Sequence, residues 1–290
     1  MPTPQISIIT TVFNREKYLE DCIKSVLASS FENWELIIVD DKSKDRSVEI
    51  AENYAASDAR IRVQVNEQNL GQFENRNYAA SLAKGKYLKY LDSDDVLYPH
   101  GLQVFMKAAR EHPEAGLIIS HDQLHESQPY PILMNSHEAW ASLFLSRGFP
   151  ASGPTGALIK RQVFLELDGF PKPFYVGTDI LLWLLIASRY PIVKVQPALT
   201  WYRTHDEQAL SQGLLNNEYL REDYNYMVKY LMASKNPLTG EEKSRGLVKL
   251  KKRQLRQIAI YALKTGKVLD ALKLLQYNNF NFRDIKYLIN

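Results

Sequence analysis

The chain has 290 residues, 45% of them hydrophobic and 24% charged, the make-up of a globular protein with room for one large domain and an appendage. Its 36 lysines and arginines against 33 aspartates and glutamates leave a formal charge of +3, too little for a protein that coats nucleic acid. A single cysteine, Cys22, excludes a disulfide framework and any multi-cysteine metal site; no apolar run is long enough to span a bilayer, and the N-terminus reads straight into a strand without a secretory leader.

QISIITTV, residues 5 to 12, is β-branched and nearly all apolar, as a strand covered on both faces should be. Asn14 has the residue type of a helix N-cap. The segment after it sets Tyr18, Leu19, Cys22, Ile23, Val26 and Leu27 at spacings of three and four, which predicts an amphipathic helix with Cys22 as a buried thiol in a reducing compartment. WELIIVDD, residues 34 to 41, reads as a second buried strand ending in two acids. A helix over 45 to 56, the strand IRVQV, the loop NEQNLGQ, a helix through Leu82 and the strand KYLKYLD follow.

Repeated strand, helix, strand units predict an α/β protein built on a mostly parallel sheet, in which ligands sit beyond the C-terminal strand ends. The acids obey that geometry: Asp40 and Asp41 close one strand, and Asp92, Asp94 and Asp95 follow another. Three carboxylates so close repel one another unless a cation or well-placed donors relieve them, so something positive is expected there.

Further on, HPEAGLIISHD offers a strand, SQPYPILMNSHEAW a proline-containing connector, and SGPTGALIKRQVFLELDGF a loop, strand and helix. ILLWLLIASRY is apolar nearly all round and predicts a buried helix too short to cross a membrane; IVKVQ and LTWYRTH read as strands. From about Asn216 the pattern is helical. The boundary is expected near residues 206 to 216, dividing an α/β domain over 1–210 from a helical region over 211–290.

The ordered series SIITTVFN, LIIVDDKSKD, NLGQFENRNYAASLAKGKYLKYLDSDD, and then GTD ahead of an apolar helix, closely resembles the family 2 glycosyltransferases, enzymes of bacterial cell-surface glycan synthesis with the GT-A fold. The match covers roughly residues 4 to 206, and its specificity lies in the order of motifs, since a lone DxD is weak evidence. The resemblance implies a sugar-nucleotide donor, UDP-linked by default, across the ends of the first strands. It places Thr11, Phe13 and Asn14 beside the donor and makes Asp41 the acceptor of a uracil-like N–H, a role compatible with carboxylate chemistry as ring stacking is with Phe13. Asp41 could equally cap the next helix, as could Ser43 or Asp45. LDSDD matches the family's DxD: Asp92 is assigned to the ribose, Ser93 to the donor and Asp94 to a divalent ion, with Asp95 a competitor. Hard carboxylate oxygens suit Mg²⁺ or Mn²⁺.

Asn69, Gly71, Arg76 and Asn77 match the segment before the DxD strand, where an arginine can brace the acids or touch the diphosphate; a plain surface arginine is the alternative. Asp179 matches the family's general base, although this chain has GTD where many members carry a glutamate just before the aspartate. The resemblance brings Arg203 toward the donor diphosphate and His205 there or into the metal shell. His100, His112, His121, His125 and His137 show no ligand spacing.

The implied reaction is a single inverting displacement moving a hexosyl or N-acetylhexosaminyl group to a hydroxyl of a carbohydrate, lipid-linked or polymer acceptor. Its acceptor pocket is expected from residues 121 to 156 and the tail. A degenerate relative that binds without catalysing is the alternative; a receiver-like signalling domain is excluded because the first strand ends without acids. Lys249, Lys251, Lys252, Arg253 and Arg256 could hold an anionic membrane surface or polymer, or be a solvated face packed on the domain or on a second subunit. The expected location is the cytoplasm, with the inner face of the cell membrane as a site of peripheral contact.

Overall fold

Parallel strands buried on both faces need long apolar runs joined by helical crossovers, and the first hundred residues supply them. A computed structural model describes residues 3–120, 128–146, 153–172, 177–205, 218–234, 236–281 and 284. In it β1 (Ile6–Val12), α1 (Leu19–Leu27), β2 (Trp34–Asp40), α2 (Ser47–Ser57), β3 (Ile61–Val65), α3 (Gln72–Ser81) and β4 (Tyr87–Tyr90) alternate without a break. Then come β5 (Val96–Leu97), α4 (Gly101–Glu111), β6 (Leu117–Ser120), β7 (Ile132–Met134), α5 (Ser136–Leu145), β8 (Ala157–Lys160) and α6 (Arg161–Glu166). The last elements are α7 (Thr178–Ala187), β9 (Ile192–Val195), β10 (Thr200–Trp201), α8 (Glu218–Met232), α9 (Gly240–Thr265) and α10 (Val268–Tyr277).

Eight strands form one sheet in the order β3-β2-β1-β4-β8-β6-β9-β7, and β5 and β10 form a small antiparallel pair. The first four strands are parallel, while β8 runs antiparallel to both β4 and β6. Strand order reverses at β1, which has β2 on one side and β4 on the other. That is the switch point where crossovers leave in opposite directions and a crevice opens. Register deepens it: β1 pairs with β2 as far as Val12↔Asp40 but with β4 only as far as Ile9↔Tyr90.

One face of the sheet is covered by α1 and α4: Leu19, Cys22, Ile23 and Val26 of the first and Leu102, Phe105 and Met106 of the second join Ile6, Ile8 and Leu36 in one core. Cys22 is the buried thiol expected from the pattern, and burial pushes its pKa far above the usual range. At the opposite end of β4 from the acids, Gly85 packs against β1. A Cβ there would lie 2.5 Å from the Ser7 backbone nitrogen, and Gly85 donates its own N–H to Ser7 Oγ at 2.8 Å.

Two expectations are corrected, and one element was not anticipated. Asn14 does not cap α1, which begins at Leu19 with Tyr18 in the cap position. Asn14 has φ +53, a left-handed conformation incompatible with entry into a helix at that residue. Patterning also did not anticipate α4, and the proline-containing connector holds β7 and α5.

The described elements fall into two units: one carries all ten strands with α1–α4, α6 and α7, and the other carries nearly all of α5 together with α8–α10. Recruitment of α5 by the second unit was not read from the sequence, and the expected boundary near 206 to 216 lies outside the described residues. In the second unit three of the five basic residues of the run are engaged from within. Lys251 pairs with Asp284 at 2.9 Å, Arg253 pairs with Asp223 at 2.5 Å, and Lys249 donates to the Leu145 carbonyl.

Candidate functional site

The loop after β4 carries the acids, and each has its own donor. Arg76, reaching over from α3, donates to Asp92 Oδ1 at 2.6 Å. Arg15, beyond the end of β1, lies 3.5 Å from Asp94 Oδ2. Asp95 Oδ1 accepts the Arg203 backbone N–H at 3.1 Å. The positive charge that the cluster demanded is therefore supplied in part by the chain itself.

The three acids differ in access. The Asp92 and Asp94 side chains keep 27% and 13% of their exposure, whereas Asp95 is fully buried, with Oδ2 lacking a hydrogen-bond partner. Burial first, and Asp92 next, push the Asp95 pKa up to about 8. Asp95 thus works inward, holding the backbone at Arg203 just after β10, and Asp94 is the better placed of the two to meet a cation. Ser93, between Asp92 and Asp94, is buried.

Arg76 is only 3% exposed and lies over the Phe73 ring, 5.4 Å from its centroid. Burial pulls its pKa down, but the carboxylates outweigh that and the net direction is up: Asp92 contributes most and Asp179 acts on the same guanidinium. Of the three readings for this residue, bracing of the acids is the one the geometry favours. Asn77 faces elsewhere, exchanging hydrogen bonds with the backbone of Phe170.

Asp179 sits in the first turn of α7, half-buried, with Oδ1 accepting the Ile180 N–H at 2.9 Å. Burial raises its pKa, the direction that suits a base poised nearer neutrality. Gly153 lies beside it: a Cβ there would be 3.9 Å from Asp179 Oδ2. Thr155, two residues on, accepts the Asp92 N–H through Oγ1 at 3.0 Å. One short turn, residues 153–156, thus lies against Asp179 and fixes the backbone of Asp92.

Thr155 also accepts, through its carbonyl, from the ammonium of Lys89, a fully buried lysine on β4 whose Nζ donates to the Tyr90 carbonyl at 2.9 Å. Burial lowers its pKa to about 7. Arg15, Lys89 and Thr155 were not singled out in the sequence. Lys89 offered a signal, since a lysine inside an apolar strand needs buried acceptors.

On the other side of the crevice, Thr11 is half-buried, and Phe13 is 45% exposed, an aromatic face open for stacking. Asn14 joins the exit of β1 to the next loop: its N–H donates to Ser43 Oγ and its Oδ1 accepts from the Lys44 N–H, both at 2.8 Å. Asp41 is buried and engaged. Its Oδ1 accepts from Asn66 Nδ2 at 2.9 Å and the Leu70 N–H at 2.8 Å, and its Oδ2 accepts the Gly71 N–H at 2.9 Å. Asn69 donates to the Asp41 carbonyl, and Gly71, at φ +82, has the conformation a glycine adopts readily before entering α3. The acid at 41 therefore shapes the wall of the crevice, with only Oδ2 retaining ready acceptor capacity. It does not cap α2, whose entrance is held by Asp45, Oδ1 accepting from the Ser47 N–H.

Arg203 lies between Tyr18 and Trp201, 5.1 and 4.8 Å from their ring centroids, and its side chain donates to the Asp94 carbonyl and to Asp21. It braces the acid loop from outside. His205 belongs to the second unit. His137 contacts Glu242 at 3.0 Å, and His121 and His125 lie outside the described residues, as do 121–127 and 147–152 of the expected acceptor loops.

Among the described residues no three His, Cys, Asp or Glu side chains converge as a closed metal cage. Asp92 and Asp94 do fit an ion that takes one or two carboxylates and completes its shell with phosphate oxygens and water.

The family model for "Glycosyl transferase family 2" matches residues 7–164. Among curated relatives, TuaG of Bacillus subtilis (strain 168), named as a teichuronic acid biosynthesis glycosyltransferase, is 45% identical over 92 residues, which are 32% of this chain and 36% of TuaG. The chain spans less than half the length of the first curated relatives it matches. Among solved structures, S. aureus TarS 1-349 in complex with UDP-GlcNAc superposes with a TM-score of 0.69 at 19% identity, over 94% of this chain and 81% of that one. The mannosyltransferase PcManGT from Pyrobaculum calidifontis, in complex with GDP-Man and Mn²⁺, gives 0.65 at 15% identity, over 99% and 86%. These likenesses identify the fold as GT-A.

Proposed function

The chain belongs to glycosyl transferase family 2, and from that premise we propose that it moves a sugar from a nucleoside-diphosphate donor, a UDP-sugar by default, to an acceptor hydroxyl with inversion. The observation that carries this reading is the placing of Asp92 and Asp94 at the C-terminal end of β4, beside the β1 switch point, with Asp179 and Asp92 both acting on Arg76. The sugar is a hexosyl or N-acetylhexosaminyl group. The acceptor is a carbohydrate, lipid-linked or polymer hydroxyl of cell-surface glycan synthesis, the class of product named for TuaG. The proposed place of work is the cytoplasm and the inner face of the membrane.

In this mechanism Phe13 stacks on the base, Thr11 and Asn14 border it, and the loop tied to Asp41 through Asn69 and Gly71 closes the pocket wall. Asp92, held by Arg76 and Thr155, receives the ribose hydroxyls, and Ser93 keeps the turn packed. Asp94 would hold Mn²⁺ or Mg²⁺, whose charge, when the ion is bound, offsets that of the departing nucleoside diphosphate. Arg15 and Arg203 add positive charge at the same loop. Asp179 accepts the proton of the attacking hydroxyl at a carboxylate oxygen, and positioning supplies much of the rate. Residues 1–210 as the catalytic domain are part of the same proposal.

Calorimetric titration with UDP, dTDP and GDP, each with Mn²⁺ or EDTA, tests the donor site. One nucleotide is expected to bind in a metal-dependent way, with Asp94→Ala weakening it ~10-fold or more, as loss of a charged ligand requires. Absence of binding by the folded protein would sink this reading. Binding without any donor hydrolysis would favour the degenerate, non-catalytic alternative.

A further inference from the structure

Helices α9 and α10 each have a packed face and a bare one. Ile258 of α9 meets Ala271 and Leu274 of α10 in a small core that includes Leu220 of α8. On the other faces, Leu263 is 85% exposed and Leu269 75%, and Ile260, Val268 and Leu272 are each more than half exposed. All five flank one tight turn, where Gly266 ends α9 in the left-handed conformation at φ +71 and donates its N–H to the Ala262 carbonyl at 2.9 Å. Scattered exposed leucines need no explanation, but five large exposed aliphatic side chains within six residues of one turn are a concentration that calls for an occupant.

The charges beside the patch identify its occupant. Lys264 and Lys267 are exposed on either side of Gly266, and among the described residues no carboxylate pairs with either. Lys273 lies 3.5 Å from Asp270. The basic run earlier in α9, by contrast, is largely engaged within the unit. Aliphatic side chains projecting from a rigid turn, with ammonium groups at its rim, complement an anionic bilayer: the apolar groups enter the acyl boundary while the lysines stay among headgroup phosphates. A second copy is a poorer fit, because a two-fold contact through this tip would bring the lysines of both chains together.

We propose that the α9–α10 turn is a docking surface for an anionic lipid bilayer. The inference goes beyond the transfer reading and does not depend on it. The full chain is sedimented with vesicles of phosphatidylglycerol and phosphatidylcholine, and with phosphatidylcholine alone, at low and high salt. Binding is expected to the anionic vesicles, weakening as salt rises. Leu263→Ser with Leu269→Ser should lower the affinity at least ~10-fold, and Lys264→Glu with Lys267→Glu roughly fivefold per lysine, without disturbing the fold because all four side chains are exposed. Failure of the wild type to bind anionic vesicles at low salt, or binding that both double variants retain, overturns the proposal. A dimer that the leucine variant dissolves, without vesicle binding, overturns it in favour of a second copy. Donor binding, measured in parallel, should not change in either variant, so the two readings fail separately.

Discussion

Asp179→Asn is expected to lower the transfer rate by about 10³-fold while leaving donor binding within a factor of a few, because a general base acts on the acceptor proton. Asparagine keeps the oxygen that accepts from Ile180 N–H, so the start of α7 is retained. Stability should hold or rise, since burial disfavours the ionised form of Asp179 and asparagine removes that charge. The pH dependence has a fixed sign. A base must be ionised, and the Asp179 pKa lies above the ordinary aspartate range, so kcat should fall as pH drops through that raised value and level off above it. Fixed-metal rate profiles of wild type and Asp179→Asn check this. An unchanged rate in the variant would remove Asp179 from the chemistry.

Asp92→Ala should be the most damaging single change to stability, costing ~3–5 kcal/mol, because it leaves the buried Arg76 guanidinium without its closest counter-charge. Urea denaturation reads the loss directly. The discriminating variant is Arg76→Met combined with Asp92→Asn, which removes the charge of both partners and is expected to be more stable than Asp92→Ala alone. Both proteins should lose donor affinity, so stability and function separate across the pair. If Asp92→Ala cost no more than an ordinary surface change, Arg76 would have to be solvated or held by another acid.

The strands were the legible part of this chain. β1, β2 and β4 are buried on both faces, and only continuous apolar segments can occupy that environment, so their reading survives almost to the residue. The acids were legible because they follow such strands, where an α/β sheet presents its ligands. Their partners were not. Asp92 meets Thr155 across a separation of 63 residues and Lys89 meets it across 66, links made by an antiparallel strand whose pairing leaves no periodic mark. Asn14 misled for a different reason: the same short amide side chain that caps helices also tolerates a left-handed backbone, and here the second property decided. In the C-terminal region the lysines and arginines drew attention, yet tertiary ion pairs absorb several of them and leave the aliphatic tip as the unusual surface.

The packing of Gly85 sets how this protein can be varied. A side chain there would overlap the backbone of Ile6 and Ser7, at 2.8 and 2.5 Å, and backbone inside a sheet cannot step aside as a flexible side chain would. The lysines on either side project outward and meet no such obstacle. A library randomised over 84 to 86 should therefore return folded clones with almost any residue at the flanks and only glycine between them. That single invariant column would mark where β4 is seated on β1, and so where the depth of the crevice at the far end of the strand is set.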